Sequence, residues 1–196
     1  KAFKENPTGH EAKFRRARVA YFQGQFDWAQ AQLDVLKGST TKLIANNAMQ
    51  LSLLITDNMG LDTSALAMQM YAQAEWLIYQ NKNDESYQLL DSMLTTFPGH
   101  TLSDEILYKQ AEIEFNKKNY TQAVKLYEKV VTDFSFDILA DDALFQWAEI
   151  LEEKLNDSNK AKELYEKIVM DYSDSIYTVE ARKRFRKLRG DQKKEL

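Results

Sequence analysis

The side chains best suited to acid–base or metal chemistry in this sequence are two histidines and two adjacent pairs of carboxylates. His10 and His100 have no His, Cys or Asp neighbours at metal-ligand spacing, so we expect two surface imidazoles. Asp141-Asp142 and Glu152-Glu153 are each neighbours on one helix, whereas a glycosidase needs two acids that face each other across a cleft. The sequence therefore predicts no catalytic residue, no metal and no cofactor.

The amino-acid composition excludes further kinds of site and further classes of protein. The 196 residues contain no cysteine, so a disulfide framework, a thiolate metal site and a cysteine nucleophile are excluded. No apolar run approaches the roughly 18 residues of a membrane span, and we expect no transmembrane segment. With 44% hydrophobic residues, 29% charged residues and two prolines, the chain is typical of a folded helical protein. Because the first residue is Lys and not Met, we expect a mature or excised piece of a longer protein.

Charge is distributed unevenly along the chain. Residues 1–20 carry six Lys/Arg and two Asp/Glu, and residues 181–196 carry eight and two, which leaves the middle with 12 bases, 26 acids and a net charge of −14. The basic stretch Arg182–Arg189 has the composition of a nucleic-acid or acidic-membrane contact. An acidic body repels a nucleic-acid backbone, so we expect no nucleic-acid partner and interpret this stretch as a solvated helix face. Docking on the acidic body of another copy stays open.

The elements that position these residues repeat along the chain. Leu107–Ile113 aligns with Leu144–Ile150 at an offset of 37 residues, and the helix that follows aligns at an offset of 38. The same frame extends back by one unit, and a fainter copy opens the chain. Such a period, with small and aromatic residues at fixed positions, is the signature of a helical solenoid. We therefore predict an all-α protein of about ten helices.

The hydrophobic pattern and the turn residues set the predicted helices. Their ranges are 8–23, 26–37, 42–57, 63–80, 83–97, 102–117, 120–134, 138–154, 159–172 and 176–189. We expect a capping box from Thr8 to Glu11, a cap at Asn119 and a cap at Ser173–Ser175. In the last helix, Val179, Phe185 and Leu188 are predicted to cover the end of the stack while its Arg and Lys residues face water.

The predicted organisation is a single array over residues 1–196. It divides into a repeat at 8–37, a degenerate single-helix repeat at 41–58, repeats at 63–97, 101–134 and 138–172, and a capping helix at 176–189. The returning helix of the second repeat is missing from the sequence. We therefore expect an irregular crossing just before the third repeat.

These units resemble tetratricopeptide repeats. That pattern has a small residue late in the first helix, then an aromatic residue, alanine and a second aromatic residue in the second helix, and proline near its end. The matching residues are Ala74, Ser86, Leu90, Phe97 and Pro98; Ala111, Tyr120, Ala123, Tyr127 and Phe134; and Ala148, Ala161, Tyr165 and Tyr172. The terminal proline occurs once, and Asn159 replaces one aromatic residue. The resemblance implies a right-handed superhelical solenoid of antiparallel helix pairs.

The resemblance also implies a binding groove, lined by the first helix of each pair. Its positions correspond to Met68, Tyr71, Glu75, Ile78, Glu105, Tyr108, Glu112, Phe115, Asp142, Phe145, Glu149 and Glu152. The three glutamates that repeat at this spacing predict an acidic, aromatic groove for a basic or polar segment of a partner protein. Alternatively, the acids are ordinary solvated residues and the aromatic residues are core. The lysines, arginine and asparagine of a chaperone-tail clamp are absent.

The sequences around Tyr127 and Tyr165 are similar to those of bacterial cell-envelope repeat proteins, such as outer-membrane assembly lipoproteins and the periplasmic partner of the Tol system. It implies a non-enzymatic interaction scaffold in the periplasm or cell envelope, with the cytoplasm as the alternative. Two other functions stay open. One is a structural self-association module of a larger envelope protein, built on the region from Met49 to Asp62; the other is a helical enzyme fragment. The expected oligomeric state is a monomer or a weak homodimer.

Overall fold

The computed structural model describes residues 7–39, 41–59 and 65–190, and all the regular structure in these ranges is α-helical. The ten helices are α1 (Pro7–Phe22), α2 (Phe26–Lys37), α3 (Lys42–Met59), α4 (Leu66–Tyr79), α5 (Asn83–Thr96), α6 (Ser103–Asn116), α7 (Tyr120–Asp133), α8 (Ala140–Glu153), α9 (Ser158–Asp171) and α10 (Thr178–Arg189). The predicted all-α class with about ten helices is confirmed.

The chain forms two compact units, Lys1–Leu102 and Ser103–Leu196, here called unit 1 and unit 2. Unit 1 holds α1 to α5, and unit 2 holds α6 to α10. The division into individual repeats stays a prediction.

In unit 2 each helix packs on the next, from α6 through to α10. The small residues of the repeat pattern are fully buried between the helices: Ala111, Ala123, Ala148 and Ala161 are all 0% exposed. Each is the small residue that the repeat pattern requires, because any larger side chain would push the two helices apart.

Unit 1 departs from this regular order. The pairs α1–α2 and α4–α5 pack as antiparallel neighbours, while α3 packs on α2 with a smaller contact to α1. Helix α4 also packs on α1, where the Tyr21 hydroxyl donates a 2.7 Å hydrogen bond to Glu75. Among the described residues, the helix that follows α3 is α4, which pairs with α5. The expected irregular crossing at residues 60–64 lies outside the described residues.

Each helix pair turns through one residue with positive φ. These residues are Gly24 (73°), Asn81 (61°), Lys118 (64°) and Asn156 (56°), and each stands two positions before its second helix. Glycine adopts this left-handed conformation freely and asparagine tolerates it, but a lysine at the same place is strained. The turn geometry is therefore repeated even where the residue type is not.

Three predicted helix ends need correction. Thr8 lies inside α1, so the Thr8–Glu11 capping box is wrong, and Glu11 instead pairs with Arg15 at 2.7 Å. Asn119 occupies the N-cap position of α7, but its side chain donates to Glu114 (2.8 Å) and not to the helix backbone. The last helix starts at Thr178, two residues later than predicted.

The packing of α10 also differs from the prediction. Val179 is 78% exposed, and the residues of α10 that are buried are Thr178 and Ala181. The Ser173–Ser175 segment does contribute a turn, since the Ser175 hydroxyl accepts from the backbone N–H of Tyr177 at 3.1 Å.

Candidate functional site

The predicted groove positions of unit 1 are largely internal. Met68 and Tyr71 are 1% and 2% exposed, so the prediction that they line an open groove is wrong, and both belong to the core. Glu75 is half-buried and accepts the hydrogen bond from Tyr21 that links α4 to α1. Ile78 is also half-buried. The predicted groove residues of α4 therefore contribute to the packing of unit 1.

In unit 2, helix α6 presents its four predicted positions half-buried: Glu105, Tyr108, Glu112 and Phe115. The Tyr108 ring meets the Tyr127 ring of α7 edge-on, with the centroids 5.2 Å apart. Phe115 lies against Tyr120, at 5.6 Å between ring centroids. Glu112 pairs with Lys109 on its own helix at 2.8 Å.

Carboxylates and tyrosines of α6, α7, α8 and the turn before α10 gather into what we call the tyrosine–carboxylate cluster: Tyr108, Glu112, Tyr127, Asp142 and Tyr177. The Tyr177 hydroxyl donates a 2.6 Å hydrogen bond to Asp142. Burial raises the pKa of Asp142, and the hydrogen bond from Tyr177 only partly opposes that rise. The neighbouring charges of Asp141 and Glu112 raise this pKa further.

Burial and the neighbouring carboxylates also raise the pKa values of the tyrosines in the cluster. Burial raises the pKa of Tyr108, and Tyr127 together with the carboxylates Glu112 and Asp142 raises it further. Burial also raises the pKa of Tyr127, with the same two carboxylates adding to the effect. Tyr127 is buried and the other four members are half-buried, so the cluster holds two carboxylates close to aromatic rings in a largely desolvated region.

The predicted positions on α8 are covered by α10 and the turn that precedes it. Phe145 is 6% exposed and stacks on the Tyr177 ring at 4.4 Å between centroids, with 15° between the planes. Its ring also lies 5.9 Å from that of Tyr165. Phe145 is thus a packing residue, which corrects its prediction as an open groove position.

Glu149 and Glu152 bind a guanidinium of the chain itself. Arg184 of α10 donates to Glu149 (2.7 Å), Glu152 (3.0 Å) and Glu153 (2.9 Å). It also pairs with Glu180 at 3.2 Å, and its side chain is only 19% exposed. The prediction that the basic residues of α10 face water is wrong for Arg184, which closes this end of the predicted groove.

The side chains around Glu152 lower its pKa. Its side chain is 9% exposed, and it accepts hydrogen bonds from Arg184 (3.0 Å), Tyr165 (3.0 Å) and Lys187 (3.2 Å). Burial acts to raise the pKa of Glu152, but these hydrogen bonds outweigh it and hold the pKa below its ordinary value.

Sequence reasoning missed Arg184 and Tyr177, although the repeat itself contained the signal. An offset of 38 places Thr178 and Ala181 over Ala140 and Ala143, and the two alanines of α8, Thr178 and Ala181 are all buried. That alignment places α10 in the register of the first helix of a pair, and the Arg184 side chain of α10 contacts Glu152 of α8 and Tyr165 of α9.

The two histidines have structural surroundings. His10 is buried, not at the surface as predicted, and its Nδ1 lies 2.7 Å from the Ser39 hydroxyl. His100 packs against Phe97, and its Nδ1 accepts from the backbone N–H of Leu102 at 3.1 Å. Within residues 7–39, 41–59 and 65–190 no group of three or more His, Asp or Glu side chains is placed to hold a metal ion.

The family model of the tetratricopeptide repeat matches residues 105–135 and 142–175. Both segments resemble tetratricopeptide repeats. They coincide closely with the predicted repeats at 101–134 and 138–172 and lie within unit 2. Repeats of this family generally mediate protein–protein interactions, and their fold is typically that of a non-enzymatic scaffold. No curated protein matches the chain.

Two solved structures share the fold. They are the crystal structure of the Podosopora anserina putative kinesin light chain nearly identical TPR-like repeats and the crystal structure of a variant of the same protein. Each is 14% identical to this chain, with TM-scores of 0.54 and 0.53 respectively, and each alignment covers 96% of this chain and 90% of the other. Among the helices described here, none is long and apolar enough to cross a membrane.

Proposed function

We propose that this protein is a non-enzymatic interaction scaffold that binds a basic segment of a partner protein at the tyrosine–carboxylate cluster. The observation that carries the proposal is the environment of Asp142. Among the described residues it receives a hydroxyl hydrogen bond but no cation, while Glu112 and Asp141 repel its charge. A basic side chain docked here would relieve that repulsion.

Arg184 illustrates what such a site binds. In the next pair, its guanidinium contacts Glu149, which occupies the position equivalent to Glu112, together with Glu152 and Glu153. It also lies 5.9 Å from the ring centroids of both Phe145 and Tyr165. Carboxylates and aromatic rings together favour a planar cation, through bidentate hydrogen bonds and cation–π contact. The cluster offers the same groups, so arginine is the partner residue that its chemistry favours.

The cluster is also held ready for binding. Tyr108 and Tyr127 pack edge-on, and Tyr177 is fixed between Phe145 and Asp142. Because these side chains are already ordered, binding would require little further loss of conformational freedom. Glu105 and Phe115, half-buried on α6, complete the proposed groove.

The test is a capture experiment from envelope and cytosolic fractions of the native organism. A Glu112→Lys/Asp142→Asn variant makes the charge at the cluster more positive by three units. A Glu163→Lys/Glu166→Gln variant makes the same change on α9, away from the cluster. We expect wild type and control to capture the same partner and the cluster variant to lose it. Capture that is unchanged in the cluster variant would contradict the proposal.

The same experiment addresses the compartment. We propose a bacterial cell-envelope location because the sequences around Tyr127 and Tyr165 are similar to those of bacterial cell-envelope repeat proteins. A partner that fractionates with the envelope would support it. A partner found in the cytosolic fraction would overturn it while leaving the binding site intact.

A further inference from the structure

Helix α3 exposes a side that carries no charge except at its two ends. From Leu43 to Thr56 the sequence contains no charged residue, although 29% of the chain is charged. The exposed residues of α3 are Lys42, Leu43, Asn46, Met49, Gln50, Leu53, Thr56 and Asp57. At 100° per residue they form one continuous face, opposite the buried Ile44, Ala48 and Ile55. We call these eight residues the α3 face.

The α3 face is too apolar for an ordinary outer surface. Leu43 is 69% exposed, Met49 48% and Leu53 38%. In a helical-repeat unit, a helix with no neighbour on one side needs a polar outer face to remain soluble. A face that lacks charge at its centre and exposes large aliphatic side chains has instead the composition of an interface core.

We propose that the α3 face binds the α3 face of a second copy of this chain, with the two helices antiparallel about a twofold axis. In an isologous contact each residue must meet a member of the same set. The α3 face satisfies this condition, because its eight residues pair off symmetrically about the midpoint between Met49 and Gln50. Met49 then lies against the partner's Gln50, and Asn46 lies against the partner's Leu53.

The charges at the ends of the helix fit this arrangement. Lys42 and Asp57 are exposed, and among the described residues neither forms an ion pair. In the antiparallel contact Lys42 meets the partner's Asp57, and the same pair recurs at the other end. A parallel contact would place like charges together at both ends. The charge pattern therefore selects the second copy and its direction.

The contact is small. An 18-residue helix is about 27 Å long, and one helix pair covers less than the roughly 800 Å² per partner of a standard interface. A weak, concentration-dependent dimer is expected, with a dissociation constant on the order of 10–100 μM.

The charge pattern supplies a direct test by sedimentation equilibrium at low ionic strength. Lys42→Glu alone and Asp57→Lys alone each place like charges at both ends of the dimer, and we expect each to dimerise about tenfold more weakly than wild type. An equimolar mixture of the two variants restores opposite charges at both ends of the heterodimer without requiring any other change, so it should regain association. A mixture that associates no better than the separate variants would overturn the antiparallel contact.

A second pair of variants tests the centre of the face. Leu53→Glu places a charge inside the contact and should abolish dimerisation, whereas Val35→Glu alters an exposed residue of α2 (67% exposed) and should leave it unchanged. Far-UV circular dichroism establishes that both variants fold. Wild-type protein that remains monomeric up to about 300 μM, or a dimer that is unaffected by Leu53→Glu, would refute the proposal.

Discussion

At the scale of single residues, two half-buried acids of unit 2 have opposite environments. Glu152 accepts three hydrogen bonds from Arg184, Tyr165 and Lys187, whereas Asp142 has one from Tyr177 and faces like charges. The first acid stabilises the fold when ionised, and the second weakens it. A residue whose charge lowers the stability of the fold is a candidate for function, because active and binding sites commonly retain such residues at a cost in stability.

Asp142→Asn is therefore expected to stabilise the protein at neutral pH. Asparagine still accepts the Tyr177 hydrogen bond but carries no charge, so the free energy of unfolding should rise by about 0.5 kcal/mol, a value kept small by solvent screening. Because the folded-state pKa of Asp142 is raised, its penalty disappears as the pH falls through that pKa. Urea unfolding at neutral pH and below the ordinary value of 3.8 should show the two proteins converging. A variant less stable than wild type at neutral pH would contradict this assignment.

Arg184→Ala is expected to destabilise unit 2 by about 2 kcal/mol, since it leaves several partly buried carboxylates without their main cation. The folded-state pKa of Glu152 is lowered, so this stabilisation is present above the ordinary value of 4.5 and is lost as the pH falls below it. Thermal unfolding across that range should show the difference from wild type shrinking in acid. Arg182→Ala on the exposed side of the same helix is the matched control and should have little effect. Equal losses in the two variants would show that Arg184 has no special role.

At the scale of elements, the repeat explains what the sequence predicts well and what it does not. Most helix ends were predicted within one or two residues, because small core residues and turn residues recur at fixed offsets. The side-chain environment was predicted less well. Tyr71 and Tyr108 occupy equivalent positions, yet one is buried at 2% exposure and the other is half-buried. The difference lies in which helices pack alongside, and this depends on contacts between residues far apart in sequence.

The repeated turn gives a prediction at this scale. Lys118 has a φ of 64° where the first pair has Gly24, so Lys118→Gly should stabilise the protein by about 1 kcal/mol. Lys117→Gly, one position earlier and with no positive φ, should bring no gain because glycine there only increases the freedom of the unfolded chain. Chemical unfolding of both variants measures the difference. Stabilisation by both substitutions, or by neither, would show that the turn conformation does not limit stability.

At the scale of the whole molecule, the charge distribution acquires a structural meaning. The acidic middle of the chain carries a net charge of −14, and part of the basic C-terminal stretch neutralises acids of α8 through Arg184 and Lys187. The sequence predicted basic ends and an acidic body but could not show that one end folds back on that body. At the tyrosine–carboxylate cluster, Asp142 has no cationic partner among the described residues and is repelled by Asp141 and Glu112. Long-range attraction should therefore speed the association of a basic partner, and added salt should slow it.

The most direct test of the proposed scaffold function is photocrosslinking in the native organism. A photoreactive amino acid at Lys109, whose side chain pairs with Glu112 at the cluster, is compared with one at the exposed Glu163 of α9. We predict a discrete crosslinked partner from position 109 that disappears when Glu112→Lys and Asp142→Asn are added, and no such product from position 163. A partner that crosslinks from position 163 but not from position 109 would contradict the assignment of the binding site to the tyrosine–carboxylate cluster.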